Sequence, residues 1–261
     1  MKLNKVEPKY ISKSNPRIGL ITLGSDFRIE KDFNNIIYGR DIDLYVNRIH
    51  CYNPLTNETL AKMAEDITEV TKDILPDQKI DCVAYGCTSG TVAAGYDVIK
   101  KKVNLAKPEA KVTTPITSAI KALKVLDINK ISIFTPYTKT INDSVVNYFK
   151  KENIIVNSLT YFDIDSDLDI GKVDEDYLFE VLSKIDLENS DALFVSCTAL
   201  PVLSIIDKLE KKINKVVLSS NQTLIWDSLN EINYKEKIEG FGKLFNSLWI
   251  WILLKKNIKR D

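Results

Sequence analysis

Two short patterns recur along the chain at almost the same separation, and this recurrence restricts the fold more than any other feature. Asp81 to Thr91 is an apolar run that breaks at Gly86 into Cys87, Thr88 and Ser89. Asp191 to Pro201 repeats the plan with Ser196, Cys197 and Thr198 at the break, which sets the two cysteines 110 residues apart. The apolar run opening at Arg17 (RIGLITL) returns at Lys130 (KISIFT), 113 residues on. Two features repeated at nearly one offset indicate a duplicated βα unit. Short apolar runs alternating with amphipathic stretches imply parallel sheets joined by right-handed helical crossovers. The expected fold class is therefore α/β, with two pseudo-symmetric lobes, each a parallel sheet flanked by helices.

Along the first repeat, strands are expected over Arg17–Leu23, Ile42–Ile49, the cysteine run and Lys111–Thr114. Asn57 is a candidate cap for one long helix reaching Leu75, with Leu60, Met63, Ala64, Ile67, Val70 and Ile74 on one face and Pro76 as its stop. In the second repeat, strands at Lys130, Ile154–Tyr161, the second cysteine run and Val216–Ser219 alternate with helices over Thr140–Glu152 and Asp174–Ile185. Asp163 to Asp169 reads as an acidic loop, and Ser220-Asn221-Gln222 as a helix cap. The expected domains are residues 1–115 for the first lobe, completed by about 221–246, and 116–220 for the second. Residues 247–261 form an apolar and basic extension.

Charge excludes one class of partner. The 36 basic and 36 acidic residues cancel and are interspersed, leaving no field of one sign to hold nucleic acid. The N-terminus carries no apolar signal stretch, and four cysteines are too few for a disulfide scaffold, so the expected setting is cytoplasmic with reduced thiols. Metal is not expected: Cys82 and Cys87 are five apart, no Cys-x-x-Cys occurs, and His50 is the only histidine. Cys82 within the strand and Cys51 at a strand end read as structural. The apolar run Leu248–Leu254 is too short to span a bilayer and suits a packed helix or a subunit interface, making a homo-oligomer the expected assembly.

In parallel sheets ligands bind beyond the carboxyl ends of the strands, where both cysteine turns lie. A strand that stops at Gly86 and restarts as a helix near Thr91 leaves unpaired backbone N–H groups that attract anions and lower a thiol's pKa. The same setting is expected at Cys197, with Pro201 in the first turn of a helix. Facing lobes would place the two cysteines across one cleft. Thr88, Ser89 and Thr198 serve equally as N-caps. Tyr137 reads as a strand-end aromatic or a pocket residue, and Asp26 as a helix cap or a pocket residue.

The Gly86-Cys87-Thr88-Ser89-Gly90-Thr91 and Ser196-Cys197-Thr198-Ala199-Leu200 pair resembles the aspartate/glutamate racemase superfamily, in its maleate cis-trans isomerase and arylmalonate decarboxylase branch. Pro115-Ile116-Thr117, Thr135-Pro136-Tyr137, the stretch from Asp167 to Ile170 and Ser219-Ser220-Asn221-Gln222 resemble most closely the ectoine-utilisation proteins of that branch. The resemblance covers about Arg17 to Phe245 and implies a cofactor-free active site between the lobes. By matching positions it implies Cys87 and Cys197 as the catalytic pair, Thr88, Ser89 and Thr198 as carboxylate binders and Tyr137 in the pocket. Asp26 matches an asparagine of the maleate isomerases, and Asp167 is matched to a second asparagine.

The expected activity is that of a two-cysteine isomerase or racemase acting on a small carboxylate, plausibly an amino-acid derivative in ectoine breakdown. One thiolate removes an α proton while the other thiol delivers one to the opposite face, or a thiolate adds to a double bond that rotates before elimination. The alternatives are maleate isomerisation proper, an arylmalonate-type decarboxylation and a non-catalytic binding protein. Asp26, with Asp167, would repel a second carboxylate and favour an amine-bearing or N-acylated substrate over maleate.

Overall fold

Every strand of the first half runs parallel to its neighbours, in the spatial order Asp43–Ile49, Arg17–Leu23, Cys82–Gly86, Lys111–Thr113. The structure, a computed structural model, describes Met1 and residues 3–248. Its elements are β1 (Arg17–Leu23), α1 (Ile29–Ile37), β2 (Asp43–Ile49), α2 (Asn57–Lys62), α3 (Ile67–Lys72), β3 (Cys82–Gly86), α4 (Thr88–Ala94), α5 (Tyr96–Ala106), β4 (Lys111–Thr113) and α6 (Pro115–Val125). The second half continues with β5 (Lys130–Thr135), α7 (Lys139–Lys151), β6 (Ile155–Tyr161), α8 (Asp167–Gly171), α9 (Glu175–Ser183), β7 (Ala192–Val195), α10 (Ile206–Ile213), β8 (Val216–Ser219) and α11 (Ser220–Glu231). Its sheet is also parallel, in the order β6-β5-β7-β8. The two orders correspond strand for strand, as the duplicated sequence requires.

Residues of β1 and β3 are buried on both faces, which is why these strands read as continuous apolar runs rather than alternating ones. Gly86 ends β3 where a Cβ would stand 2.8 Å from Ile29 Cδ1 and 3.2 Å from the Ile21 carbonyl oxygen. Only glycine lets α1 pack this closely over the strand end. Its absence of side chain fixes the position of the turn that carries Cys87.

The single long helix expected over 57–75 is broken. A 3-10 turn at Met63–Asp66 separates α2 from α3, and the apolar stripe of Leu60, Met63, Ala64, Ile67 and Ile74 stays buried across the break. The cap is Thr56, whose side chain accepts from Thr59 N, and Asn57 instead donates to Ser144 Oγ at 3.2 Å. Part of the expected acidic loop forms the short α8, capped by Ser166.

Helix α11 follows β8 of the second sheet and packs on α6, β3 and β4 of the first. It is buried from Ser220 to Asn230 on all sides, which explains why its sequence lacks a clear polar face. Its start therefore lies where the two sheets meet. Among the described residues no helix is long and apolar enough to cross a membrane. Ser247 and Leu248 are buried, and the rest of the expected extension, 249–261, lies outside the described residues.

Candidate active site

Cys87 is the N-cap of α4, extended at φ −146°, and its sulfur accepts the Gly90 N–H at 3.2 Å. The helix begins at Thr88 rather than near Thr91, and the Thr91 hydroxyl closes back on the Cys87 carbonyl at 2.7 Å. The second turn is built differently. Cys197 adopts φ +94°, and no α-helix opens until Ile206, after a 3-10 turn at Leu203–Ile205. Pro201 is therefore outside any first helical turn, and the equivalence expected between the two settings fails. A positive φ at a residue with a Cβ costs about 1–3 kcal/mol and persists only where the surroundings hold it. Here the Cys197 N–H donates to Ser220 Oγ at 3.0 Å.

Ser220 also joins the two turns. Its Oγ accepts from Thr88 Oγ1 at 2.8 Å as well as from Cys197 N. The Thr198 hydroxyl donates to the Gly86 carbonyl at 3.3 Å, a second link between the repeats. Tyr137 follows β5, receives a hydrogen bond from Ser196 Oγ at 3.3 Å, and lies close enough to both sulfurs to feel either as a thiolate. Ser89 Oγ stands 3.9 Å from Cys87 Sγ.

Asp26 both caps a helix and faces the cysteines. Its Oδ1 accepts from Arg28 N at 2.7 Å and Ile29 N at 3.1 Å, at the start of α1. Its Oδ2 is buried without a hydrogen-bond partner. Burial raises its pKa, against the backbone N–H groups, the neighbouring Thr198 hydroxyl and Arg48. Asp167 Oδ2 accepts from Ser25 Oγ at 2.5 Å, and burial raises this carboxyl to about 6. All eight residues expected at the site are thus buried around the meeting of the two sheets, Cys87 at 3% and Cys197 at 5% exposure. A surface hollow of about 500 Å³ lined by Lys72, Pro76, Lys79 and Lys107 lies at the opposite strand ends and reaches neither cysteine.

The expected lowering of the thiol pKa is reversed. Burial pushes the Cys87 thiol up despite the Gly90 N–H, and the Asp167 charge adds to the push. Burial and then Asp167 likewise raise Cys197, against the Ala199 N–H and the Tyr137 hydroxyl. Desolvation outweighs the turn's dipoles. A thiol pushed up in this way holds its proton, and its thiolate is a strong base once formed. Cys82, at about 12, and Cys51, at about 11, are raised by burial as well. His50 is exposed and stacks edge-on with Tyr52.

Residues read from sequence only as a helix cap and a shared motif, with Asp32, complete the arrangement. Ser219, with Gln222, caps α11, leaving the Ser220 hydroxyl free to join the turns and Asn221 to reach Asp32 Oδ2 and the Thr198 carbonyl, each at 2.8 Å. Burial raises Asp32 to about 7, against the Asn221 hydrogen bond and with help from Asp26. Because its folded pKa lies above the unfolded value near 3.8, the folded state holds the extra proton between about pH 4 and 7, and stability falls as pH rises through that window. Asp32→Asn keeps the acceptor for Asn221 and should raise stability by about 1–2 kcal/mol at pH 8, with the gain gone near pH 4. Thermal melts across that range check this.

Gly90 is constrained by chemistry rather than by its backbone angle. A Cβ there would stand 2.8 Å from Cys87 Sγ and 3.0 Å from the Tyr85 hydroxyl oxygen. Gly90→Ala should therefore displace the sulfur and lower kcat by about 100-fold, since small misplacements of a reacting group cost that much. Folding should suffer far less, as a circular dichroism melt would show.

Comparison with known proteins finds the same fold. A maleate isomerase of Geobacillus stearothermophilus is 25% identical over 245 residues, covering 88% of this chain and 97% of its own. The crystal structure of the maleate isomerase of Pseudomonas putida S16 superimposes with TM-score 0.82 at 20% identity, covering 90% of this chain and all of the other. A cysteine-to-serine variant of the Nocardia farcinica maleate cis-trans isomerase, solved with a covalently bound succinylcysteine intermediate, superimposes with TM-score 0.81 at 18% identity over 89% of this chain and 98% of that one. The family model described as arylmalonate decarboxylase matches residues 48–245, most of the chain and both cysteine turns, and the chain belongs to that family.

Proposed function

We propose that this protein is a cofactor-independent isomerase of a small carboxylate, with Cys87 and Cys197 as its two reacting groups. The observation that carries the proposal is the convergence of two buried thiols, one from each sheet, on the same Tyr137 and Asp167, with Ser220 tying their turns together. Ser89 offers a hydroxyl for the substrate carboxylate, Thr88 and Thr198 join it by turning their hydroxyls from Ser220 and the Gly86 carbonyl, and Tyr137 lines the pocket.

In cis-trans isomerisation one thiolate forms an S–C bond to an alkene carbon, and the π pair moves to the other carbon, stabilised by its carboxylate. The single bond rotates, and the reverse movement of the pair expels the thiolate. In racemisation one thiolate takes the α proton while the opposed thiol gives its own to the other face. A neutral thiol carries the proton this step needs, though burial makes it a weaker acid. Burial makes the thiolate costly to form but correspondingly basic, which suits a weakly acidic α proton. The covalent succinylcysteine in the Nocardia relative supports the addition route. The relatives named maleate isomerase support an isomerase, while the family's description keeps decarboxylation as the competing reaction. A role in ectoine breakdown rests on the sequence resemblance, and an ectoine hydrolase gene beside this one would support it.

The test uses chelator-treated protein with maleate, single enantiomers of small amino-acid derivatives and an arylmalonate. Interconversion of isomers at undiminished rate is the expected result. Carbon dioxide from the arylmalonate, with isomers untouched, would replace the proposal by decarboxylation. Ligand binding without any turnover would reduce the protein to a binding member.

A further inference from the structure

We propose that the corner formed by Asp26, Asp32 and Asn221 beside Thr198 is a subsite for a protonated amine on the substrate, and that Asp26 sets this specificity. The inference deepens the isomerase proposal and rests on it for the placement of the carboxylate.

Two buried acceptors without partners flank Thr198. Asp26 Oδ2 has no hydrogen bond, and Asp26 is 1% exposed. The neighbouring Thr198 hydroxyl is near enough to lower the Asp26 pKa, and its proton points to Gly86 O at 3.3 Å. Asn221 Oδ1 is equally unpartnered, at 2% exposure. Its orientation is fixed by the network, because the amide nitrogen donates at once to Asp32 Oδ2 and Thr198 O, two acceptors that its oxygen could not face. An unpaired buried acceptor costs free energy that a ligand donor recovers. The unmet demand in this corner is for hydrogen-bond donors.

Charge points the same way. Asp32 and Asp167 both interact electrostatically with Asp26. Arg48 acts on the Asp26 carboxyl, and Arg28 and Lys31 on that of Asp32, only through space, and the side-chain hydrogen bonds of the two arginines go to other groups. Arg48 donates to the Leu23 and Asp26 carbonyls and to Glu30, and Arg28 donates to the Gly171 carbonyl while lying over the Phe27 ring. Burial disfavours the charged form of Asp26 and the two backbone N–H bonds on Oδ1 favour it, so a cation in the corner moves the balance toward the carboxylate. An ammonium entering the corner satisfies both orphan acceptors and offsets the charge, whereas a second carboxylate leaves the acceptors unmet and adds repulsion at low dielectric.

Succinate and 4-aminobutyrate test this directly, since they share one carboxylate and differ at the other end. Binding is measured by calorimetry, which needs no turnover, so failure of the isomerase chemistry and failure of the subsite are distinguishable. Wild-type protein should bind 4-aminobutyrate at least about tenfold more tightly than succinate, because one pairs with the corner and the other is repelled by it. Asp26→Asn keeps an acceptor for the start of α1 and should narrow or invert that ratio. Succinate binding as tightly as 4-aminobutyrate in the wild type, no measurable binding of 4-aminobutyrate, or a ratio unmoved by Asp26→Asn would each overturn the proposal.

Discussion

Cys197→Ser and Cys87→Ser should each lower turnover by at least about a thousandfold while leaving the melting temperature within a few degrees of the wild type. Serine is nearly isosteric with cysteine, and the contacts that hold the turns do not need sulfur at position 197. There the backbone N–H, not the side chain, bonds to Ser220. At position 87 a serine oxygen retains the capping role toward Gly90 N, a role to which serine is well suited. What is lost is chemistry, because a hydroxyl is a far weaker acid than a thiol and a poorer leaving group from carbon. Steady-state assays with purified variants, each checked by a thermal melt, give the result.

The second large effect concerns stability. Lys121 on α6 pairs with Asp227 on α11 at 2.7 Å, and Asp227 is fully buried with Ser118 as its other partner at 2.9 Å. Lys121→Met would leave this carboxylate without its cation and should destabilise the protein by about 3 kcal/mol, since an uncompensated buried charge is costly. Asp227→Asn added to Lys121→Met should restore much of the loss, because the carboxylate that suffers is then gone. Urea denaturation of the single and double variants measures both steps. The effect reaches the site because α11, the helix anchored by this pair, begins at Ser220.

The fold was legible because duplication leaves its mark in sequence order. Arg17 and Lys130 open corresponding strands, and Cys87 and Cys197 follow corresponding ones, as the matching sheet orders show. Local signals failed where tertiary contacts decided. Nothing near Cys197 announces its positive φ, because the bond from its N–H goes to Ser220, 23 residues away. The sharpest local expectation, a lowered thiol pKa, failed because a turn's dipoles can be read from sequence and burial cannot. Ser220 and Asn221 lie in a stretch whose small polar residues read as a cap. Ser219 takes that work, and the partners of the next two residues, Thr88 and Asp32, stand 132 and 189 positions away.

The central claim is that Cys87 and Cys197 act as one unit on one substrate, and the double variant tests it most directly. Residues that serve a single step are non-additive when removed, so Cys87→Ser/Cys197→Ser should be no slower than the slower single variant. Rates for all three proteins on one substrate, measured against the uncatalysed reaction, supply the comparison. Equal residual rates are the predicted result. A double variant slowed by the product of the two single effects, or a single variant with full activity, would contradict the two-cysteine mechanism.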